Sequence, residues 1–151
     1  MRIQQLRELL QYVIECRYAM STLYARLDSY AESPRVKLLL EYYQFHEKEV
    51  ATQLADYIDS APPKLLDTWY KDIIFEDFIK RCETFNLASD MTCDQVLDLH
   101  MSLENSLIEL IETTASSSHC ENTRNMLLNL AQVERNHLHR LVHSSLRMDD
   151  L

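Results

Sequence analysis

The sequence predicts an all-α protein, a bundle of four helices arranged as two hairpins. Three observations lead to this prediction. The chain of 151 residues contains no glycine, and glycine is the usual residue of tight turns, so a sheet protein with many hairpins is disfavoured. Apolar residues recur at spacings of three and four along four long segments, which is the periodicity of an amphipathic helix. The three prolines lie at the ends of these segments, where they interrupt no helix.

The first predicted hairpin consists of a helix over about 3–31 and a helix over about 34–58. Pro34 favours the start of the second helix, because proline is well accepted in the first helical turn. Pro62 and Pro63 follow the second helix and end it, since proline cannot continue a helix.

A long connection over 60–91 follows the first hairpin. Its stretch from Trp69 to Phe85 is amphipathic and is predicted to form one short helix lying on the bundle. Helical bundles of this kind often pair through exposed apolar faces. This segment is therefore the candidate surface for a homodimer.

The second predicted hairpin begins with a helix over about 93–116. Thr92 and Gln95 have the spacing of a capping box, which marks a helix N-terminus. A fourth helix is expected over about 122–147, after a run of serines. We expect residues 1–151 to form a single helical-bundle domain, in which a long crossover joins the two hairpins as in ferritin-like folds.

Composition excludes several classes of function. The net charge of −9 and the pI near 5.0 argue against a nucleic-acid partner, which would require a basic surface. No apolar run reaches the roughly 18 residues of a membrane-spanning helix, so no membrane contact is expected. The four cysteines form no Cys-x-x-Cys pair, which excludes a rubredoxin-type site. Without a secretory signal, we expect a cytoplasmic protein with free thiols.

Three glutamates interrupt the apolar faces of the predicted helices. On a helical wheel, Glu47, Glu104 and Glu134 each lie at the centre of the apolar stripe of their own helix. Buried carboxylates are costly, and several in one core would repel one another. Metal ions, shared protons, or hydrogen bonds from histidine and tyrosine could each compensate.

The fourth helix carries the sequence Glu134-x-x-His137. This spacing places a carboxylate and an imidazole one turn apart on the same face, which is a ligand motif of di-iron and di-manganese helical bundles. The second helix carries the same glutamate as Glu47, but Val50 stands where the histidine would be. The sequence thus contains one intact half of a two-metal motif and one damaged half.

Four further residues are candidate ligands. On the first helix, Glu15 is the nearest carboxylate, but the apolar stripe centres on Cys16, so either residue could face the site. His100 lies one turn before Glu104 and could bind metal, hydrogen-bond the carboxylate or simply fill the core. His46 lies at the edge of the stripe of the second helix.

These residues resemble the rubrerythrin branch of the ferritin-like superfamily. The resemblance covers the four helices and implies a ferritin-like fold. It also implies one or two iron or manganese ions held by four residues and reacting with peroxide or dioxygen. The implied ligands are Glu47, Glu104, Glu134 and His137. The chain departs from that pattern at Val50 and at Cys16 or Glu15, and no rubredoxin domain follows the bundle.

Two functions therefore compete. The first is a ferritin-like metalloprotein with an iron or manganese centre of the oxidase or peroxidase type, or one that handles metal. The second is a metal-free bundle that has lost its site and serves as an interaction or regulatory module. The sequence identifies no catalytic residue, no cofactor other than metal, no substrate and no redox partner, so whether the protein is an enzyme stays open.

Overall fold

The computed structural model describes residues 2–74 and 77–149. The chain divides into two compact units, Met1–Met91 and Thr92–Leu151. Within the described ranges, six helices and two short strands follow one another along the chain. They are β1 (Arg2–Gln5), α1 (Leu6–Tyr30), α2 (Pro34–Ser60), α3 (Pro63–Leu66), β2 (Trp69–Ile74), α4 (Phe78–Glu83), α5 (Cys93–Ser116) and α6 (Glu121–Asp149). The four long helices match the predicted ones to within a few residues, whereas the prediction of a single domain stays a prediction.

The core of the first unit is the hairpin of α1 and α2. Ser33 caps α2 by accepting a hydrogen bond from the Val36 backbone N–H, and Pro34 occupies the first turn. Along α2 the buried side chains recur at spacings of three and four, so one face of the helix packs inward. These buried residues include Val36, Leu40, Tyr43, Glu47, Val50 and Leu54.

The start of the first predicted helix and the predicted helix of the connection are both wrong in part. Residues 2–5 form β1 and pair antiparallel with β2, with Ile3 opposite Ile73. The predicted helix over 69–85 is therefore a strand at Trp69–Ile74, and only Phe78–Glu83 is helical. Residues 75 and 76 of that prediction lie outside the described residues. The sequence of β2 is rich in aromatic and β-branched residues, which favour a strand once a partner strand is available.

The helical part of the connection packs against its own hairpin. Phe78 and Cys82 of α4 are buried, and α4 lies along α1. Asp77 caps this short helix by accepting a hydrogen bond from the Lys80 backbone N–H. Trp69, at the other end of the segment, is 66% exposed. The segment thus covers part of its own core, and pairing with a second copy stays a prediction.

The second unit is the hairpin of α5 and α6. The predicted capping box is confirmed, because Thr92 Oγ1 accepts a hydrogen bond from the Gln95 N–H while Gln95 Oε1 accepts one from the Thr92 N–H. Arg135 of α6 donates a hydrogen bond to Glu112 of α5 at the half-exposed edge of the hairpin. The buried face of α6 again follows helical spacing and consists of Thr123, Leu127, Ala131, Glu134, Leu138 and Leu141.

No helix among the described residues is both long and apolar enough to cross a membrane.

We expect Thr92→Ala to lower the free energy of unfolding by about 1 kcal/mol, because it removes the capping hydroxyl at the start of α5. Urea denaturation measures this change. Thr52→Ala is the matched control, since Thr52 is exposed and its hydroxyl only donates to the Lys48 carbonyl within α2. Its effect should stay within about 0.5 kcal/mol. Equal losses for both variants would contradict a specific role for the capping box.

Candidate metal centre

A buried ion pair occupies the first hairpin. Arg17 Nη1 of α1 donates a hydrogen bond to Glu47 Oε2 of α2 over 2.9 Å. Both side chains are fully buried, with 0% exposure. A charge-assisted hydrogen bond of this length is among the stronger contacts in a protein interior. The predicted burial of Glu47 is confirmed, and part of its compensating charge comes from an arginine.

The sequence did not identify Arg17 as a site residue. The predicted stripe centred on Cys16, about one helical step of 100° from Arg17. The buried face of α1 is wider than that stripe and includes Val13, Arg17 and Tyr24 as well as Cys16. The available signal was the position of Arg17, four residues after Val13 and three before Met20, within the apolar periodicity.

The structure decides which residue of α1 faces the core. Cys16 is buried, whereas the preceding residue, Glu15, is exposed. Glu15 therefore cannot supply the fourth inward carboxylate without rotation of α1. On α2, Val50 stands at the position of the motif histidine and is buried, with 5% exposure. His46, beside Glu47, is half-buried.

The buried thiols of the first unit are poor ligands in their protonated form. Burial raises the pKa of Cys16 to about 12 and that of Cys82 to about 11. Burial also raises the pKa of Tyr12, whose side chain hydrogen-bonds Cys16. Because the thiolate rather than the thiol binds metal, Cys16 acts here as a small buried apolar residue at neutral pH.

Two candidate residues lie one turn apart on α5. His100 and Glu104 are both buried, and His100 Nε2 lies 3.7 Å from Glu104 Oε1. This distance exceeds that of a hydrogen bond, although it allows electrostatic attraction if the imidazole is protonated. The three predicted roles of His100, as a ligand, as a partner of Glu104 and as a core side chain, stay predictions.

The intact motif lies on α6. Glu134 is buried, and His137 one turn later is half-buried. The intervening Arg135 points to the edge of the hairpin, where it contacts Glu112. The predicted burial of Glu104 and Glu134 is thus confirmed within the second unit.

The two hairpins differ in how well they suit a metal ion. The second carries two buried carboxylates and two imidazoles, a set of oxygen and nitrogen donors that iron and manganese accept. In the first, Glu47 already binds Arg17 and has His46 beside it, with ligand atoms of His46 and Glu47 within 4.8 Å of each other. Val50 has no ligand atom and Glu15 is exposed, so two positions of the two-metal motif offer no inward donor. In either unit taken by itself, no three described His, Cys, Asp or Glu side chains bring ligand atoms within 4.8 Å of one another.

One solved structure resembles this chain over almost its whole length. It is a protein from Thermotoga maritima, provisionally assigned as a ferritin-like diiron-carboxylate protein, and the comparison covers 93% of this chain and 94% of that chain with a TM-score of 0.58. The chain has a ferritin-like fold. At 17% sequence identity the likeness shows the fold alone.

The ferritin-like fold confirms the predicted fold class of two helical hairpins joined by a long crossover. The finer assignment to the rubrerythrin branch stays a prediction. No protein-family profile matches the chain, and no curated protein matches it in sequence.

The cysteines should react with iodoacetamide in a fixed order in the native protein. Cys120 is exposed, and a hydrogen bond from the Thr123 backbone lowers its pKa, so it should react first. Cys16 and Cys82 should react only after unfolding, because both are buried and their pKa values are raised. Mass spectrometry of the alkylated protein at pH 8 checks this order, and rapid native labelling of Cys16 would contradict its placement in the core.

Proposed function

We propose that this ferritin-like protein binds a single divalent ion, iron or manganese, through the second hairpin. Glu104, Glu134 and His137 would hold the ion, with His100 beside them. The observation that carries the proposal is the burial of two carboxylates and an intact Glu-x-x-His motif on α5 and α6. Carboxylate oxygens and imidazole nitrogens are donors that iron and manganese accept, and these four residues of the second hairpin include two carboxylates and two imidazoles.

The structure of the first hairpin supports one ion rather than two. Arg17 already contributes a positive charge at Glu47, and like charges in a poorly solvated interior repel strongly. A cation bound to Glu47 would therefore lie close to a guanidinium group. Among the described residues of the second hairpin, no three donors bring their ligand atoms within 4.8 Å of one another. Side chains of this hairpin would therefore change rotamer when they bind the ion.

The finer part of the proposal concerns chemistry. An iron or manganese ion held by carboxylate and imidazole would supply redox chemistry with dioxygen or peroxide. In this role Glu104 and Glu134 would balance the charge of the ion, and His137 would contribute a nitrogen ligand. The cytoplasmic location also belongs to the proposal.

A second candidate function is a metal-free bundle that acts as an interaction or regulatory module. The observation that favours it is the same Arg17–Glu47 pair, because a permanent protein cation replaces an exchangeable one. The buried Val50 at the place of the motif histidine points the same way.

Metal analysis separates the two functions. After expression with added iron or manganese, the purified protein should carry close to one ion per chain, as expected for a site that binds tightly once its ligands are deprotonated. Emission spectrometry measures the ratio. A content below about 0.2 ions per chain would favour the metal-free module.

Glu134→Ala and Glu104→Ala should each abolish this metal content, because each removes an anionic ligand. Glu109→Ala is the matched control, since Glu109 is exposed on the outer side of α5, and it should retain the full amount. If both ligand variants keep their metal while remaining folded by circular dichroism, the proposed site is wrong. Loss of peroxide consumption together with metal would further support the oxidase or peroxidase role.

A further inference from the structure

We propose that Arg17 is a built-in cation of the first hairpin. Its guanidinium takes the place beside Glu47 where the sequence motif alone would suggest a metal ion, and it keeps Glu47 from binding one. The inference concerns α1 and α2 only, so it holds whether or not the second hairpin binds metal.

The geometry of the pair is that of a permanent contact. Arg17 Nη1 and Glu47 Oε2 are 2.9 Å apart, and neither side chain is exposed. Arginine stays protonated at any pH a protein normally meets. The pair is therefore charged on both sides and neutral as a whole, which is the electrostatic role that a bound cation would otherwise fill.

The positions of both residues follow from helical periodicity. Arg17 lies between Val13 and Met20 on the buried face of α1, and Glu47 lies between Tyr43 and Val50 on the buried face of α2. Each charged residue is thus held by apolar neighbours one turn before and one turn after it. Neither side chain can reach solvent without disrupting the packing of the hairpin.

Two donors of the two-metal motif are missing beside Glu47, and His46 is the donor that α2 keeps there. Val50 offers no ligand atom one turn after Glu47, and Glu15 is exposed. Arg17 is the residue of α1 that donates a hydrogen bond to Glu47. A buried carboxylate without a cation would be costly, and the contact with Arg17 lowers that cost for Glu47.

A double-mutant cycle tests the pairing. Arg17→Met and Glu47→Leu should each lower the urea midpoint markedly, because each leaves one buried charge without its partner. The double variant should recover more than half of the combined loss, since both charges are gone and similar volumes fill the space. Additive losses in the double variant would overturn the proposal.

The matched control is a pair on the surface of the same unit. Arg7 and Asp67 lie 3.4 Å apart with partly exposed side chains. Arg7→Met and Asp67→Asn should shift the urea midpoint little, alone or together, because solvent screens such pairs.

A charge reversal tests the replacement of the metal. Arg17→Glu places a second carboxylate next to Glu47, and two adjacent carboxylates should bind a divalent cation. We expect this variant to gain close to one Mn²⁺ per chain over its parent and to show a melting temperature that rises with added Mn²⁺. Arg17→Met should show neither change. Folding of the Arg17→Glu chain only in the presence of Mn²⁺ would support the proposal equally.

The experiment is performed in the Glu134→Ala background as well as in the unchanged chain. The ion attributed to the second hairpin is absent there, so the gain is read independently of the proposed function. The proposal is overturned if folded Arg17→Glu gains no Mn²⁺ in either background. It is also overturned if Glu47→Gln removes metal from the otherwise unchanged protein, because Glu47 would then be a ligand despite Arg17.

Discussion

The ion pair of Arg17 and Glu47 ties together the two helices of the first hairpin inside its core. Two opposite charges at 2.9 Å without solvent exposure bind α1 and α2 at one register, because sliding either helix by a turn would separate them. Removing one partner of such a pair typically costs about 3–5 kcal/mol. The apolar packing on either side, from Val13 to Tyr24 on α1, accommodates the pair because the two charges cancel locally.

The two units differ in the groups that accompany their buried carboxylates. In the first unit the buried carboxylate is matched by a protein cation, and the nearby thiols are held protonated by burial. In the second unit Glu104 and Glu134 are buried together with His100, and His137 follows on the same helix. The two hairpins therefore differ in character, because a guanidinium accompanies the buried carboxylate of the first, whereas imidazoles accompany the buried carboxylates of the second.

Local periodicity explains why much of the fold was predictable. The boundaries of the long helices follow from apolar spacing, from Pro34 and from the capping box at Thr92, all of which act within one or two turns. The burial of Glu47, Glu104 and Glu134 followed from the same spacing. The pairing of β1 with β2 did not, because it joins segments about 70 residues apart, and strand formation depends on that distant partner.

By itself, the sequence determined that the chain is helical, where its long helices run and which three glutamates point inward, since each of these depends on neighbours along one helix. Only the tertiary structure decided that Arg17 rather than Glu15 accompanies Cys16 on the buried face, and that Glu47 binds a guanidinium. Burying a charged residue at the edge of an apolar stripe is costly unless an opposite charge pairs with it. That charge lies 30 residues away on another helix, so the pairing depends on how the two helices pack together, which the periodicity of either helix alone does not determine.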